Sequence, residues 1–335
     1  MPQPNAGGGA GVGMGCEAGP VSGPIAATDA APDVAESGRP EGPTVELVPS
    51  RPASVGGVDV RRALPRRQRR TIGAWCFADH FGPVAAAGPG GGMQVGPHPH
   101  TGLQTVTWLV EGEVVHTDSL GSEQLIRPGQ LNLMTAGRGV AHAEQTPASY
   151  RGVLHGIQLW IAQPDITRYH EPAFAHHAEL PVVEYGPCRA TVLIGNLAGV
   201  RSPGRREVGI LGVELATATR TDVILPVEAR FEHGLIVLAG GVALGGELVR
   251  PRVLAYLGRG RDELALDIRD GSRVLLLGGR PFTEDLLMWW NFVARVRGEI
   301  EQAWTEWERG TPRFGPVTSD LPRIPAPRRS WLPTT

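Results

Sequence analysis

Two stretches decide the fold: GPHPH at residues 96–100 and GRGVAHAE at residues 137–144. In a β-strand, residues two positions apart point to the same face of the sheet. Each stretch would therefore project a pair of polar side chains from one side of a strand. The two pairs are His98 with His100 and His142 with Glu144. If the two strands are neighbours, these side chains form a pocket with four ligands for a metal ion.

A single histidine on a strand is more often a packed or surface residue than a metal ligand. Two same-face pairs inside one small β domain are much rarer by chance than one histidine. Three neutral nitrogens and one anionic oxygen suit a first-row divalent metal such as Fe, Mn, Ni, Cu or Zn. Four protein ligands on an octahedral ion leave two positions for water, oxygen or substrate.

The composition limits the classes of partner. At 335 residues, the chain is long enough for two domains that each bury a core. Its 32 basic residues, all arginine, face 34 acidic residues, so the net charge of -2 gives no overall attraction to nucleic acid or an anionic membrane. The chain has no nucleic-acid-binding motif, no lysine for a Schiff base, and no apolar run of about 18 residues that would span a membrane.

The cysteines indicate the compartment. Cys16, Cys76 and Cys188 are too few and too scattered for a disulfide framework or a structural zinc cluster. A reducing environment fits this pattern best. We therefore expect a cytoplasmic protein.

Most of the chain has the pattern of short strands. Residues 1–50 are rich in Gly, Ala and Pro, so we expect a disordered tail, with order beginning near Val58. Further on, β-branched or alternating segments such as 105–110 and 157–161 are separated by turn residues, and a similar set follows over 191–277. Many short strands and few helical stretches indicate an all-β fold of antiparallel sandwiches or barrels.

One helix is predicted near the C-terminus. Apolar residues recur at intervals of three and four within residues 293–310, which is the pattern of an amphipathic helix. Gly310 and Pro312 end it, and residues 311–335 are expected to form a tail.

A cluster of arginines precedes the first predicted strands. It could be a local contact for phosphate, but a solvated or acid-paired strand edge is the simpler interpretation. The cluster consists of Arg61, Arg62, Arg66, Arg67, Arg69 and Arg70.

The motifs also resemble a known family. Gly92-x5-His98-x-His100 is similar to the first half of the cupin motif, and RPG at 127–129 with TAGRGVAH at 135–142 is similar to the second. More narrowly, the chain resembles the pirin family over roughly residues 58–310. The segments that carry this resemblance are HPHTG at 98–102, EG at 111–112, DS at 118–119, PG at 128–129, MTAGRG at 134–139, HAE at 142–144 and HGIQLW at 155–160.

The resemblance implies a bicupin, in which two jelly-roll barrels (double-stranded β-helices) pack together and a helix follows. Residues 51–180 would form the N-terminal barrel, residues 181–292 the C-terminal barrel and residues 293–310 the helix. A metal, usually iron, would lie in the N-terminal barrel only, on His98, His100, His142 and Glu144. His233 in the second barrel has no His-x-His partner, so we interpret it as a turn or surface residue.

Several other residues are candidates for supporting roles. Gln104 stands where cupins commonly carry a motif glutamate. His116 and His155 lie on predicted strands of the first barrel, where either could orient a ligand or substrate, although packing or surface roles are open as well. Gln158 would face the pocket if its side of the strand is the interior. His80 is expected at the barrel entry, and His170, His176 and His177 in a linker.

Two functions follow from the resemblance. The first is a metal-dependent dioxygenase acting on a small aromatic substrate, a flavonol such as quercetin, with Glu144 both as ligand and as base for the proton transfer. The second is a non-enzymatic protein that senses redox state or regulates a protein partner. A structural zinc site is a weaker third reading, because structural zinc sites are closed by their ligands.

Overall fold

The computed structural model describes residues 42–86 and 91–328. The strands of its N-terminal half are β1 (Pro43–Pro49), β2 (Arg51–Val55), β3 (Val58–Leu64), β4 (Trp75–Ala85), β5 (Gln94–His100), β6 (Leu103–Glu111), β7 (Val114–Asp118), β8 (Glu123–Ile126), β9 (Leu131–Thr135), β10 (Val140–Gln145), β11 (Val153–Ala162) and β12 (Ala173–His177).

The C-terminal half continues the strand pattern and ends in a helix. Its strands are β13 (Val182–Tyr185), β14 (Cys188–Ile194), β15 (Asn196–Leu197), β16 (Val200–Arg201), β17 (Ile210–Thr217), β18 (Thr221–Pro226), β19 (Glu232–Ala239), β20 (Val242–Leu244), β21 (Glu247–Val249), β22 (Val253–Gly258), β23 (Glu263–Ile268), β24 (Ser272–Gly279), β25 (Leu287–Trp289) and β26 (Phe292–Ala294). The helix is α1 (Arg297–Glu308), and no helix in the described ranges is long and apolar enough to cross a membrane.

Each half of the chain builds a barrel from a larger and a smaller antiparallel sheet. The first barrel has a seven-stranded sheet in the order β12-β9-β6-β11-β4-β3-β2 and a four-stranded sheet in the order β5-β10-β7-β8. The second repeats this layout with β1-β22-β19-β24-β17-β14-β13 and β18-β23-β20-β21. The predicted all-β bicupin is confirmed.

The first strand crosses to the other barrel. β1 precedes the first barrel in the sequence but pairs with β22 at the edge of the second barrel's large sheet, with Pro49 opposite Val253. The prediction of a disordered tail over residues 1–50 is therefore wrong for β1, and order begins before Val58. Alternation did not reveal this strand because only one of its residues, Val48, is buried. Residues 1–41, with Cys16, lie outside the described residues.

The two large sheets pack face to face through an apolar layer. Val106, Ile157 and Leu159 of the first barrel share one buried cluster with residues of the second, including Ile236. Trp75, the first residue of β4, is fully buried there. Its indole Nε1 donates to the carbonyl oxygens of two residues in the second barrel, Leu211 at 3.1 Å and Gly278 at 3.2 Å. These contacts fix the barrels to one another.

Apolar side chains fill the interior of the second barrel. β18 and β23 occupy the positions in its small sheet that β5 and β10 occupy in the first. Val223 lies opposite Leu266 and Leu225 opposite Leu264, and all four side chains are buried. The groups of potential metal ligands found in the described ranges all lie in the first barrel.

His233 corrects one expectation from the sequence. It is 0% exposed, on β19 next to the barrel interior, instead of lying in a turn or on the surface. Strand alternation explains this, because His233 shares its face of β19 with Leu235 and Val237, which belong to the core of the second barrel. Neither ring nitrogen has a hydrogen-bond partner within the described part of the chain. Burial, aided by the charge of Arg261, lowers the pKa of His233 to about 4.

The C-terminal segment returns to the first barrel. The predicted helix over 293–310 is wrong at its start, because residues 292–294 form β26 and the helix begins at Arg297. The amide of Val293 donates to the carbonyl of Thr101 in the first barrel, which holds this segment extended. The second barrel thus ends before β25, and the boundary expected at residue 292 is too late.

The helix and the residues after it cover the first barrel. The buried face of α1 consists of Ile300, Ala303, Trp304 and Trp307. This face packs in one cluster with Ala141 of β10 and with Phe314 of the following segment. The amide of Ile324 donates to the carbonyl of Pro97, within the GPHPH segment at 96–100, at 2.9 Å. Residues 311–328 of the predicted tail therefore pack along the first barrel.

We predict that His233→Leu reduces the loss of stability in acid. The unfolded chain binds the proton of this imidazole near pH 6.5 and the folded chain only near pH 4, so the folded state loses up to about 3 kcal/mol as pH falls through this window. Leucine has no proton to bind and keeps the site apolar. Urea denaturation of the metal-free protein at pH 7.5 and 4.5 measures the difference. His170→Leu, at an exposed histidine, is the control, and equal pH dependence in both variants would contradict the prediction.

Candidate metal centre

Three histidines meet inside the first barrel. His98 and His100 lie on β5, and His142 lies on the neighbouring strand β10, directly opposite His98. One ring nitrogen from each of the three lies within 4.8 Å of the others. The Nε2 atoms of His100 and His142 are 3.0 Å apart. The structure thus brings the two predicted pairs onto adjacent strands.

Backbone carbonyls fix the orientation of two of these rings. His98 donates through Nδ1 to the carbonyl of Gly96 at 2.9 Å, and His100 donates through Nδ1 to the carbonyl of Asn291 at 3.1 Å. A carbonyl oxygen can only accept, so Nδ1 carries the proton in both rings and Nε2 keeps its lone pair. Both free nitrogens are therefore available to a metal. Asn291 comes from the turn between β25 and β26, which sequence reasoning did not connect with the site.

A chain of side chains orients the third ring. His116 Nε2 lies 3.2 Å from Oδ2 of Asp118, and its Nδ1 lies 3.2 Å from Nδ1 of His142. When Nε2 of His116 donates to the carboxylate of Asp118, Nδ1 of His116 can accept a hydrogen bond. His142 then donates through its own Nδ1, so Nε2 of His142 keeps its lone pair. The His116 ring also stacks on Phe174 at 4.4 Å.

Asp118 is a residue that the sequence reasoning missed. The signal was available in the His-x-Asp spacing on one strand, since β7 carries both His116 and Asp118 on the same face. Burial would raise the pKa of Asp118, but hydrogen bonds from His116 and Ser122 outweigh burial and hold this pKa below its usual value. The carboxylate is therefore charged, and it can accept the proton of His116.

Glu144 lies beside the cluster on β10. It is buried, and its Oε1 accepts a hydrogen bond from Oγ1 of Thr107 at 3.1 Å. It forms a second group of potential ligands with His142 and His116, within 4.8 Å, and this group shares only His142 with the three-histidine group. The four predicted ligands are thus close together, but they do not form a single group within 4.8 Å. Thr107 is another contact that the sequence did not indicate.

The protonation of these groups suits a metal. Burial lowers the pKa of His98 to about 4, and burial together with the neighbouring histidines lowers the pKa values of His100 and His142 well below 6.5. The three imidazoles are therefore neutral near pH 7, as metal ligands must be. Burial raises the pKa of Glu144, and a nearby cation would oppose that shift. The donor set fits a divalent metal.

The cluster opens onto a cavity with mostly apolar walls. His98, His100, His142 and Glu144 line it together with Asp79 and Gln158. The other lining side chains are apolar, namely Val55, Val60, Phe77, Phe81, Met93, Val95 and Trp160. Its volume of about 40 Å³ holds about three water molecules. Pockets for drug-sized ligands measure roughly 300–1,000 Å³. A substrate larger than a few atoms therefore requires a wall to move.

Gln158 faces this cavity, whereas two other candidates do not. The Oε1 atom of Gln158 is buried and has no hydrogen-bond partner among the described residues. His155 instead contacts His80, with their Nε2 atoms 2.9 Å apart, and neither ring lines the cavity. Gln104, at the position of the cupin motif glutamate, donates to Oγ1 of Thr135 and is also absent from the cavity wall.

The arginine cluster is paired with acids at its two buried members. Arg62 is 0% exposed and binds both carboxylate oxygens of Asp79, at 2.8 and 2.6 Å. Arg69 donates to Glu46 of β1 at 2.8 Å and stacks on Tyr256. These contacts favour the acid-paired strand edge over a phosphate contact for both residues.

Comparison with known proteins agrees with this architecture. The pattern of the pirin family matches residues 57–161, and that of the pirin C-terminal cupin domain matches residues 212–315. The chain belongs to the pirin family. A relative from Pseudomonas aeruginosa, named "Putative quercetin 2,3-dioxygenase", is 49% identical over 86% of this chain and 91% of its own length. A pirin-like protein of Caulobacter vibrioides is 35% identical over 78% of this chain and 92% of its own length.

Solved structures of other proteins share the fold. A quercetin 2,3-dioxygenase from Acinetobacter baumannii superimposes with a TM-score of 0.83 and 43% identity, covering 87% of this chain and 97% of that protein. The bacterial pirin YhhW of Escherichia coli, in complex with nickel(II), has a TM-score of 0.58 and 19% identity over 71% of this chain and all of its own. The second comparison supports the fold alone.

We predict that the double variant His98→Ala plus His142→Ala does not retain a metal. The two substitutions leave one imidazole of the three-histidine group, which cannot hold a divalent ion by itself. Elemental analysis after dialysis, with wild type reconstituted in parallel, measures the ratio of metal to protein. His176→Ala, at a partly exposed histidine on β12, is the matched control. A full complement of metal in the double variant would refute the ligand assignment.

We predict that Asp118→Asn weakens metal affinity by about 10- to 100-fold, the usual effect of losing the residue behind a histidine ligand. Asparagine keeps an oxygen for the amides of Leu120 and Ser122, which now bind Oδ1 of Asp118, so the loop should be preserved. Its amide nitrogen cannot accept from His116. Competition with a chromophoric chelator measures the affinity, and a change below twofold would contradict the proposed chain.

Proposed function

We propose that this pirin is a metal-dependent dioxygenase, with iron as the metal, that acts on a flavonol such as quercetin. The observation that carries the proposal is the cluster of neutral imidazoles with Glu144 on the wall of a buried apolar cavity. The names of two relatives at 49% and 43% identity support the reaction class. A small aromatic compound is the substrate class that the apolar walls and those names favour.

In this proposal, His98, His100, His142 and Glu144 hold the metal. A bound metal would supply Lewis acidity toward a substrate hydroxyl and the electron chemistry that reaction with dioxygen requires. Glu144 serves as the base that accepts the proton of the hydroxyl group. Beside a bound metal this carboxyl group would stay ionised, and an ionised carboxylate can accept the proton. Thr107 holds this carboxylate in place.

Other side chains would position the substrate and exclude water. Phe77 and Trp160 stack at 4.0 Å and form a flat wall beside His100. The unpartnered Oε1 of Gln158 can accept a hydrogen bond from a second substrate hydroxyl. Val55, on the edge strand β2, and Gln158 are the two lining residues that keep partial exposure to solvent. We therefore place the substrate entry on this side of the barrel.

The size of the cavity favours a second candidate function. At about 40 Å³, the cavity admits molecules of the size of water or dioxygen but no aromatic ring unless a wall moves. A metal centre of this kind could sense redox state and change the affinity for a protein partner without turnover. The two functions differ in whether flavonol and oxygen are consumed.

We predict that the iron-loaded protein consumes oxygen with quercetin and that Glu144→Gln lowers kcat by at least about 100-fold, the usual contribution of a general base. An oxygen electrode and loss of flavonol absorbance measure the rate, and metal content is determined for each sample. Nickel-loaded protein tests the metal. His176→Ala should behave as wild type. If the fully loaded wild type consumes no oxygen with either metal, the dioxygenase proposal fails and the sensing function remains.

A further inference from the structure

The second barrel carries a cleft of its own, away from the metal cavity. Its walls come from the loop before β17 (206–209), the loop before β19 (228–231) and Arg280 after β24. Its volume of about 520 Å³ lies within the usual range for small-molecule pockets. None of its lining residues also lines the metal cavity.

The cleft has an excess of positive charge. Arg206, Arg230 and Arg280 are exposed, and none of them makes a side-chain ion pair within the described ranges. Two carboxylates, Glu207 and Glu228, also belong to the walls. With three guanidinium groups against two carboxylates, one positive charge remains before any partner of these acids is considered.

The carboxylate of Glu207 already has an ion pair and hydrogen bonds outside the cleft. Its Oε1 lies 3.2 Å from the guanidinium of Arg205, and its Oε2 accepts hydrogen bonds from Nε2 of Gln163 at 2.9 Å and from Oγ1 of Thr167 at 2.5 Å. Its side chain is only 4% exposed, so it presents little charge to the cleft. Glu228 is then the single free carboxylate, and the cleft has an effective excess of two positive charges.

The walls of the cleft are held before any ligand arrives. Gln163 and Thr167 lie between β11 and β12 of the first barrel, so their bonds to Glu207 fix the loop 206–209 against that barrel. The amide of Arg280 donates to the carbonyl of Gly209 at 3.0 Å. The side chain of Arg280 lies so close to Gly209 that a Cβ there would meet Cγ at 3.2 Å. A preorganised wall reduces the entropic cost of binding.

We propose that this cleft binds a small phosphate-bearing anion of charge about -2. Each planar guanidinium group can make two parallel hydrogen bonds to oxygens of a phosphate, which a halide cannot accept in this way. A phosphate carries several oxygens on one atom, so a single group can pair with more than one of the three arginines. Phe231 adds an aromatic side chain to the wall, against which the organic part of a phosphate ester can pack. Free phosphate and a phosphate ester share this recognition chemistry, and experiment separates them.

Isothermal titration calorimetry of the full chain with inorganic phosphate, pyrophosphate and adenosine monophosphate tests the proposal. We expect saturable binding at one site per chain that weakens as NaCl is raised. Arg230→Gln and Arg280→Gln should each lower the affinity at least about tenfold, the effect of losing a charged hydrogen bond. Tighter binding of the monophosphate ester than of free phosphate identifies an ester as the ligand, and equal binding identifies the phosphate group alone.

Two controls separate the cleft from other sources of anion binding. Arg250→Gln, at an exposed arginine of the same barrel, should bind as wild type does. The double variant His98→Ala plus His142→Ala should also bind normally, which excludes phosphate on the metal. Absence of saturable binding for all three probes overturns the proposal. Equal affinity in wild type, Arg230→Gln and Arg280→Gln overturns it as well, and melting curves confirm that these variants are folded.

Discussion

The packing of one large sheet against the other is the constraint on which the rest of the structure depends. Along β11, Ile157 and Leu159 belong to the apolar layer between the barrels. Because alternate residues of a strand point in opposite directions, Gln158 and Trp160 must then face the interior of the first barrel. The same rule on β6 sends Trp108 to the interface and Thr107 to Glu144. Burial between the barrels thus selects the side chains that surround the candidate metal centre.

Buried imidazoles impose a second requirement. Each ring that offers one nitrogen to a metal has an N–H group that also needs a partner, since an unsatisfied buried donor costs about 1–3 kcal/mol. The first barrel meets this need with Gly96, His116 and Asn291. Asn291 is far along the chain, so the return of β25, β26 and α1 to the first barrel is part of the metal centre. On β18 and β23, the equivalent strands of the second barrel, leucine and valine have no N–H group in the side chain to satisfy.

Strand alternation and local motifs made much of this predictable. The group of His98, His100 and His142 was predictable because its geometry depends only on the period of a strand and on the pairing of β5 with β10. The family resemblance supplied the two-barrel fold. Thr107 was missed because its contact with Glu144 depends on which strands become neighbours, and no local pattern contains that information. Asp118 was missed although the His-x-Asp spacing on β7 already places it on the same face as His116. His233 was misread because a lone polar residue gives no sign of burial without its place in the sheet.

The crossing of β1 and the return of the C-terminal segment mean that the chain cannot be divided between its barrels. A fragment cut at the linker near residue 180 would leave the second barrel without its edge strand β1. It would also leave the first barrel without the carbonyl of Asn291 that orients His100. Each barrel is completed by residues that come from the other half of the chain. The two barrels are therefore one unit of assembly, and the metal centre in the first half of the sequence gains its last orienting contact only when Asn291 has been made.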